Sequence, residues 1–432
     1  MKQLNKKRER DKHIIEALVR RFGPISRVGI YKLTNLRRTT ISMITRELLQ
    51  EGRLVEVGRS NNPLGRKQIL LKLNDEHRLI VGVEFDDKTV VAGVMNLHPK
   101  IKHIVSMPVD LSGGRDGLIQ QLKSAVTQVI QAAGVDASYL LGIGIADPGL
   151  VDSRRGVTIT STTIDFWNEV PLRKIFEDKF EVPIVVESKT RAKTVAERML
   201  GAGGMEDNLV YFDYGAGIGA GIIVDGRLLY GRNCGAGEVG HTRISEDGPC
   251  KCGTVGCLEA TAGTSAIEAQ VRKALAEGAG SKVLSMAGDD PAKVTARLVL
   301  DAAQAGDKMC GNIVLEMARE IGIATANVVN LFNPAVIVFD RNLEPGGSIL
   351  LDQIARVVRG HALTSSSSDL ALRFGTIGEE AGILGMGLSV LEKHFEIPAL
   401  HLPDFMVDDG PFQANILTRA PAAAGVHSIL PG

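Results

Sequence analysis

The charges of this chain are sorted along its length, and that sorting limits what it folds into more than any other feature. Lys plus Arg and Asp plus Glu stand level at 50 each over 432 residues. Residues 1–73, however, hold 18 basic against 6 acidic side chains, a net of +12, so the rest of the chain carries −12. A chain of this length exceeds one hydrophobic core, and a cationic head on an anionic body predicts a nucleic-acid-binding module fused to a separate globular unit. The hydrophobic fraction of 44% and charged fraction of 23% exclude a largely disordered chain.

In the head, Ile14, Ile15, Leu18, Val19 and Phe22 recur at helical spacing until Gly23-Pro24 interrupts them. A short second helix is expected over 27–33, a turn at Thr34-Asn35, and a third helix over 37–50. Ile41, Ile44, Leu48 and Leu49 form the inward stripe of the third helix, which leaves Arg38, Thr39, Ser42, Met43 and Arg46 outward near its start. That is helix-turn-helix geometry, in which the third helix enters the major groove of duplex DNA N-terminus first. The arginines suit guanine edges or phosphates, the hydroxyls phosphates or bases, and Met43 a thymine methyl. Runs at 54–57 and 68–71 read as the strands of a wing, whose loop places Arg66 for the minor groove. A protein-interaction module is the alternative; the coincidence of basic charge with the hydroxyl- and arginine-bearing face favours DNA.

From residue 79 apolar runs at 79–85, 90–96, 140–146, 182–187, 209–214 and 219–224 read as strands, with helices over 117–133 and 190–200. The pattern predicts mixed α/β layers. A strand-strand-helix order recurs from 209, which predicts two lobes facing a cleft. The apolar stretch 321–339 is broken by Asn327, Asn330, Asn333 and Pro334, so it reads as a helix, a turn and a buried strand, with no membrane insertion. The N-terminus lacks the apolar core of a signal peptide, and a cytoplasmic chain is expected. Residues 365–368 read as a low-complexity loop, and 396–432 as an extended or poorly ordered tail.

Cys250, Cys252 and Cys257 fall within eight residues, and His241 lies nine residues before the first of them. Three thiolates and one imidazole make the tetrahedral set that zinc prefers, with no open position, so a structural Zn2+ is expected. Cys234 and Cys310 read as ordinary free thiols. The run Asp213-Tyr-Gly-Ala-Gly-Ile-Gly-Ala-Gly221 suits either close approach of a phosphate or a tight hairpin. Glu238 and Glu259 bracket the cysteine set and are placed to bond sugar hydroxyls.

These motifs resemble the signature of the ROK family (repressors, open reading frames, kinases). The resemblance is carried by Gly235-Ala-Gly-Glu-Val-Gly-His241, the Cys250/Cys252/Cys257 motif ending in Glu259, Pro148-Gly-Leu-Val-Asp152, Trp167, Asn330-Leu-Phe-Asn-Pro334 and Gly378-Glu-Glu-Ala-Gly382. Residues 13–73 resemble the winged helix-turn-helix of the family's repressor branch, typified by the xylose and N-acetylglucosamine repressors. The resemblance implies an α/β fold: a winged head over 1–73, then a two-lobed, actin-like (sugar-kinase, ribonuclease H-like) body. The first lobe would span 79–190, completed by about 370–395, and the second, with the zinc loop, 191–369. It also implies homodimers or homotetramers, and an effector pocket lined by Thr163, Ser188, Lys189, Glu238, His241 and Glu259.

Departures from the kinase pattern separate the branches. Where the family's kinases carry a glycine-rich loop for ATP phosphates, this chain has Glu84-Phe-Asp86-Asp87. Ala216 replaces a threonine of the second phosphate loop, and Asp340-Arg341 a pair of glycines. The catalytic aspartate is replaced by Lys189, which is no general base while it is an ammonium. The expectation is a non-enzyme: a transcriptional regulator, a repressor of carbohydrate genes, that binds an inverted-repeat operator and senses a sugar, sugar phosphate or sugar acid. The added cations Lys189 and Arg191 point toward an anionic effector, unless Lys189 pairs with Glu187 or Asp213. The rivals are a sugar kinase with an appended head and a regulator controlled by protein sequestration.

Overall fold

The structure, a computed structural model, describes residues 2–34, 36–60 and 67–396. Arg66 and the remainder of the wing tip, and the tail from 397, lie outside them.

The head comprises α1 (Lys2–Phe22), β1 (Ile25–Ser26), α2 (Arg27–Leu33), α3 (Arg38–Gln50), β2 (Leu54–Arg59) and β3 (Ile69–Leu73). β3 pairs antiparallel with both β1 and β2, the arrangement of a winged helix. Ser26 starts α2 by accepting a bond from the Gly29 amide at 3.1 Å. α1 begins twelve residues before Ile14, the start of the apolar stripe that predicted it. Its polar first turns are held to α3 by ion pairs, Arg8 to Glu47 and Lys12 to Glu51, which a hydrophobic pattern does not reveal.

The first lobe follows: β4 (Leu79–Phe85), β5 (Thr89–Asn96), β6 (Ile101–Pro108), α4 (Gly114–Ala132), β7 (Leu140–Asp147), the hairpin β8 (Leu150–Asp152) and β9 (Val157–Thr160), α5 (Leu172–Phe180), β10 (Ile184–Ser188) and α6 (Lys189–Leu200). The second lobe opens with β11 (Leu209–Tyr214), β12 (Ile218–Val224) and β13 (Arg227–Leu228). It continues through α7 (Leu258–Ala262), α8 (Thr264–Ala276), α9 (Lys282–Met286), α10 (Ala296–Gln304), α11 (Lys308–Phe332), β14 (Val336–Phe339), α12 (Gly347–His361), α13 (Thr364–Ser367) and β15 (Ala371–Phe374). α14 (Ala381–His394) is the last element among the described residues.

The two central sheets share one topology. The first runs β10-β7-β4-β5-β6 and the second β15-β14-β11-β12-β13, with the same parallel and antiparallel pairings at matching places. The recurrence expected from strand order is therefore present in the two sheets. Two boundaries differ. β15, expected with the first lobe, pairs in parallel with β14 and belongs to the second. Residues 365–368, expected as a loop, include most of the short helix α13.

α4 and α5 cover one face of the first sheet over a core holding Phe85, Trp167 and Phe176. α14 covers the other face so closely that a Cβ on Gly82 would strike the Ile383 carbonyl. α6 packs on α14 and against β11 and β12, so these two helices fill the space between the lobes. The far end of α14 carries the head. The His13 ring of α1 stacks on Phe395 at 6.3 Å and meets His394 edge-on at 5.6 Å, while Arg20 lies over Phe395 at 5.4 Å. A continuous core joins Ile15 and Leu18 of α1 to Leu384 and Leu391 of α14.

Burial, reinforced by His13, Arg53, Arg78 and Arg20, pushes the His394 imidazole down to about 4 from its ordinary 6.5. An unfolded chain therefore takes up a proton there that the folded chain refuses between those values. The stability this group supports is complete above pH 6.5 and is lost as pH falls toward 4. Urea unfolding from pH 7 to 4.5 should show a smaller loss for His394→Gln than for the wild type; equal losses would contradict it.

Candidate functional site

The outward face of α3 is exposed as its spacing requires. Arg38, Thr39, Ser42, Met43 and Arg46 all reach solvent, while Ile41, Ile44 and Leu48 are buried. The Arg38 guanidinium rests over the Tyr31 ring of α2 at 4.6 Å, an arrangement that limits its rotamers. Arg27 of α2 donates to the buried Thr45 hydroxyl at 2.9 Å and so braces the helix pair from behind.

The second site lies between the lobes, where α6 carries three cations within five residues. Lys189 Nζ reaches across to the first lobe, 3.4 Å from Glu84 Oε1 and 3.6 Å from Asp86 Oδ2. Lys193, one turn on, faces the second lobe, 2.8 Å from Asp213 Oδ1 and 3.0 Å from Asp340 Oδ2. Between them Arg191 is 4% exposed. It donates to Glu187 at 2.6 Å and to the carbonyls of Cys234 and Val151 at 2.9 and 3.2 Å. Thr190 adds a bond to Asp213 at 2.8 Å, and the Tyr211 hydroxyl one to Asp340 at 2.6 Å.

These contacts set the protonation of the cluster. Burial alone would raise Asp213, but Lys193 and Lys189 hold its carboxyl well below the usual range. Burial pushes Asp340 up against the pull of Lys193. Lys193 stays an ammonium because Asp213 and Asp340 outweigh its desolvation, and Lys189 is held up chiefly by Glu84. The pairing expected of Lys189, with Glu187 or Asp213, is corrected: its ion-pair partners are Glu84 and Asp86. Lys193 went unnoticed in the sequence, although basic side chains at i and i+4 on an alanine- and threonine-rich helix were the available signal.

The β4–β5 turn is closed on itself. Asp86 Oδ1 accepts from the amides of Lys88 and Thr89 at 2.8 and 2.9 Å, so an internal carboxylate fills the donors that a turn of this kind offers to an anion. The equivalent turn between β11 and β12 is a tight hairpin, with the Gly215 amide donating to the Gly217 carbonyl at 3.0 Å. A Cβ on Gly221 would enter the Thr194 side chain, so the later glycines serve the packing of α6.

The other expected residues have local roles of their own. Ser188 caps α6, its hydroxyl accepting from the Arg191 amide at 3.4 Å. Thr163 is exposed in its own turn, 3.2 Å from the Ser161 hydroxyl. Glu238 is exposed before the single helical turn Val239–His241. Glu259 accepts from the Ile218 amide at 3.2 Å and so ties the cysteine loop to the start of β12. Asp147 was missed altogether. It is fully buried and accepts from Thr158 Oγ1, Trp167 Nε1 and the Gly149 amide at 2.6–2.7 Å, which fixes the Pro148-Gly149 turn. Burial raises its carboxyl and those bonds oppose the shift. An acid at the end of an apolar run before Pro-Gly was its only trace.

His241, Cys250, Cys252 and Cys257 converge, with all ligand atoms within 4.8 Å of one another. His241 Nδ1 is 3.6 Å from Cys250 Sγ, and Cys252 Sγ is 3.7 Å from Cys257 Sγ. Bonds of about 2.3 Å to one tetrahedral ion place sulfurs ~3.8 Å apart, so the donor set fits a metal ion. Gly253 and Gly256, at φ 90° and 78°, give the loop the reversals it needs.

The ROK family model matches residues 81–393. The chain belongs to the ROK family. The xylose repressor of Caldicellulosiruptor bescii is 29% identical over 375 residues, 87% of this chain and 93% of that protein. A glucokinase of Thermotoga maritima is 29% identical over 315 residues, 98% of its own length but 73% of this chain. Among solved structures, a ROK family transcriptional regulator described as a homologue of E. coli Mlc superposes with a TM-score of 0.77 at 26% identity, over 90% of this chain and 96% of its own. The match to the glucokinase is thus shorter than the match to the repressor, 315 residues against 375.

Removing Lys193 would strand Asp213 and Asp340 together between the lobes. Lys193→Met should destabilise the protein by about 3–5 kcal/mol, the usual cost of breaking a buried ion pair from one side. Denaturant unfolding of the variant checks it, and a change under about 1 kcal/mol would contradict the assignment.

Proposed function

We propose that this protein is a DNA-binding transcriptional regulator, a repressor of carbohydrate genes, that senses a sugar-like effector in a phosphotransfer cleft stripped of its chemistry. The observation that carries the reading is the joining of a basic winged helix to a family body whose general-base position is Lys189 and whose first turn is closed by Asp86. An ammonium cannot take the acceptor hydroxyl's proton, and a carboxylate in the turn repels a polyphosphate. The repressor relatives and the Mlc homologue support the reading, since they are regulators and match 87% and 90% of this chain.

In this reading Arg38, Thr39, Ser42, Met43 and Arg46 meet the major groove, and Arg66 the minor groove. A homodimer or homotetramer presents two heads to an inverted-repeat operator. Effector binding among Ser188, Lys189, Glu238, His241 and Glu259 shifts the heads only in so far as the effector binds one arrangement more tightly. The contact of α14 with both the lobes and α1 is the physical route. The metal in the Cys₃His set is zinc, held structurally; Thr163 lies at the edge of the pocket.

A gel-shift titration against the DNA upstream of the protein's own gene tests the reading. Specific retardation is expected, weakening steeply between 50 and 200 mM salt because phosphate contacts dominate affinity. Arg46→Ala should cost about 1–3 kcal/mol of specific binding. No shift at low salt would refute it and favour control by protein contacts. Elemental analysis of the purified chain should find one zinc per chain, lost in Cys250→Ser; a zinc-free, stably folded protein would contradict the metal assignment.

A further inference from the structure

We infer that the cleft selects an uncharged sugar and rejects sugar phosphates and sugar acids, a conclusion that rests on the effector reading above and reverses the preference that the cations of α6 suggest in the bare sequence. A free cation at the acceptor position would recruit an anionic ligand. None of the three is free. Arg191 is engaged by Glu187 and two carbonyls, and Lys193 lies between Asp213 and Asp340. Lys189 keeps the most exposure, 24% of its side chain, yet Glu84 and Asp86 already flank it. Three cations thus face five carboxylates.

A phosphate ester brings about −1.5 to −2 charges at neutral pH. Beside Lys189 it would share one ammonium with two carboxylates that have nowhere to go. Asp86 is pinned by the turn amides of Lys88 and Thr89. Glu84 is pressed against Gly382 of α14, and its Oε2 is buried with no hydrogen-bond partner among the described residues. Drawing Lys189 toward a ligand anion would leave that carboxylate buried and uncompensated. A neutral polyol avoids the conflict, since its hydroxyls donate to carboxylates and accept from an ammonium without adding charge.

Titration calorimetry on the full-length protein decides the matter, using D-glucose, D-xylose and N-acetyl-D-glucosamine against glucose 6-phosphate, N-acetylglucosamine 6-phosphate and gluconate. At least one neutral sugar should bind about tenfold or more tightly than its phosphate or acid. In the Glu84→Gln/Asp86→Asn double variant, which leaves Lys189 unpaired, that ratio should shrink by about tenfold. A phosphate or acid binding more tightly than its parent sugar would overturn the inference and leave the effector reading standing. Binding of no member of the panel would overturn both. An unchanged ratio in a folded double variant would overturn the assignment of selectivity to the Lys189 pairing, and the wild-type comparison stands whether or not that variant folds.

Discussion

The cations of α6 hold the structure's logic together. Lys189 is bound to the first lobe and Lys193 to the second, four residues apart on one helix, while Arg191 fastens the 230–238 loop and β8 from between them. Each ion is desolvated and would be costly alone; Lys189 and Lys193 find partners distant in sequence, and Arg191 pairs with Glu187 four residues before it. The lobes are thereby referenced to a single helix. In the function proposed above, these side chains stand at the positions at which a kinase of the family would receive nucleotide and activate a hydroxyl, and here they are engaged in internal ion pairs.

In the proposed function, α14 is the element that would carry a change in the cleft to the head. α14 touches Glu84 near one end through Gly382, runs along α6, and ends at His394 and Phe395 beneath α1. Its packing against Gly82 and Gly144 leaves no room for a Cβ, which would strike the Ile383 backbone at the first and Met386 at the second, so the helix lies close on the sheet. Such coupling still demands two arrangements that a ligand distinguishes; close packing alone transmits nothing.

Much of this was legible in the sequence wherever the signal was local. The second helix falls over Arg27–Leu33 as its turn chemistry indicates, the α3 stripe sorts buried from exposed residues correctly, and the Cys₃His spacing closes on one point. Signals that depend on distant partners were not legible. Spacing shows that Lys189 is basic but not that residues a hundred positions earlier neutralise it. Arg191 looked available for a ligand and is in fact 4% exposed. The polar start of α1 lacks a hydrophobic pattern because its stabilisation is ionic, and β15 is too short for its sequence to say which sheet it joins. Asp147 illustrates the same limit: its worth lies in three bonds to groups that only the fold assembles.

The central claim is that phosphoryl transfer has been designed out of this cleft by charge. A coupled assay of ADP release, with the purified full-length protein, Mg²⁺-ATP and a panel of pentoses, hexoses and amino sugars, addresses it directly. The account predicts no turnover above the rate without protein for any sugar. Sustained, sugar-dependent ADP release that disappears on substitution of Lys189 would contradict it.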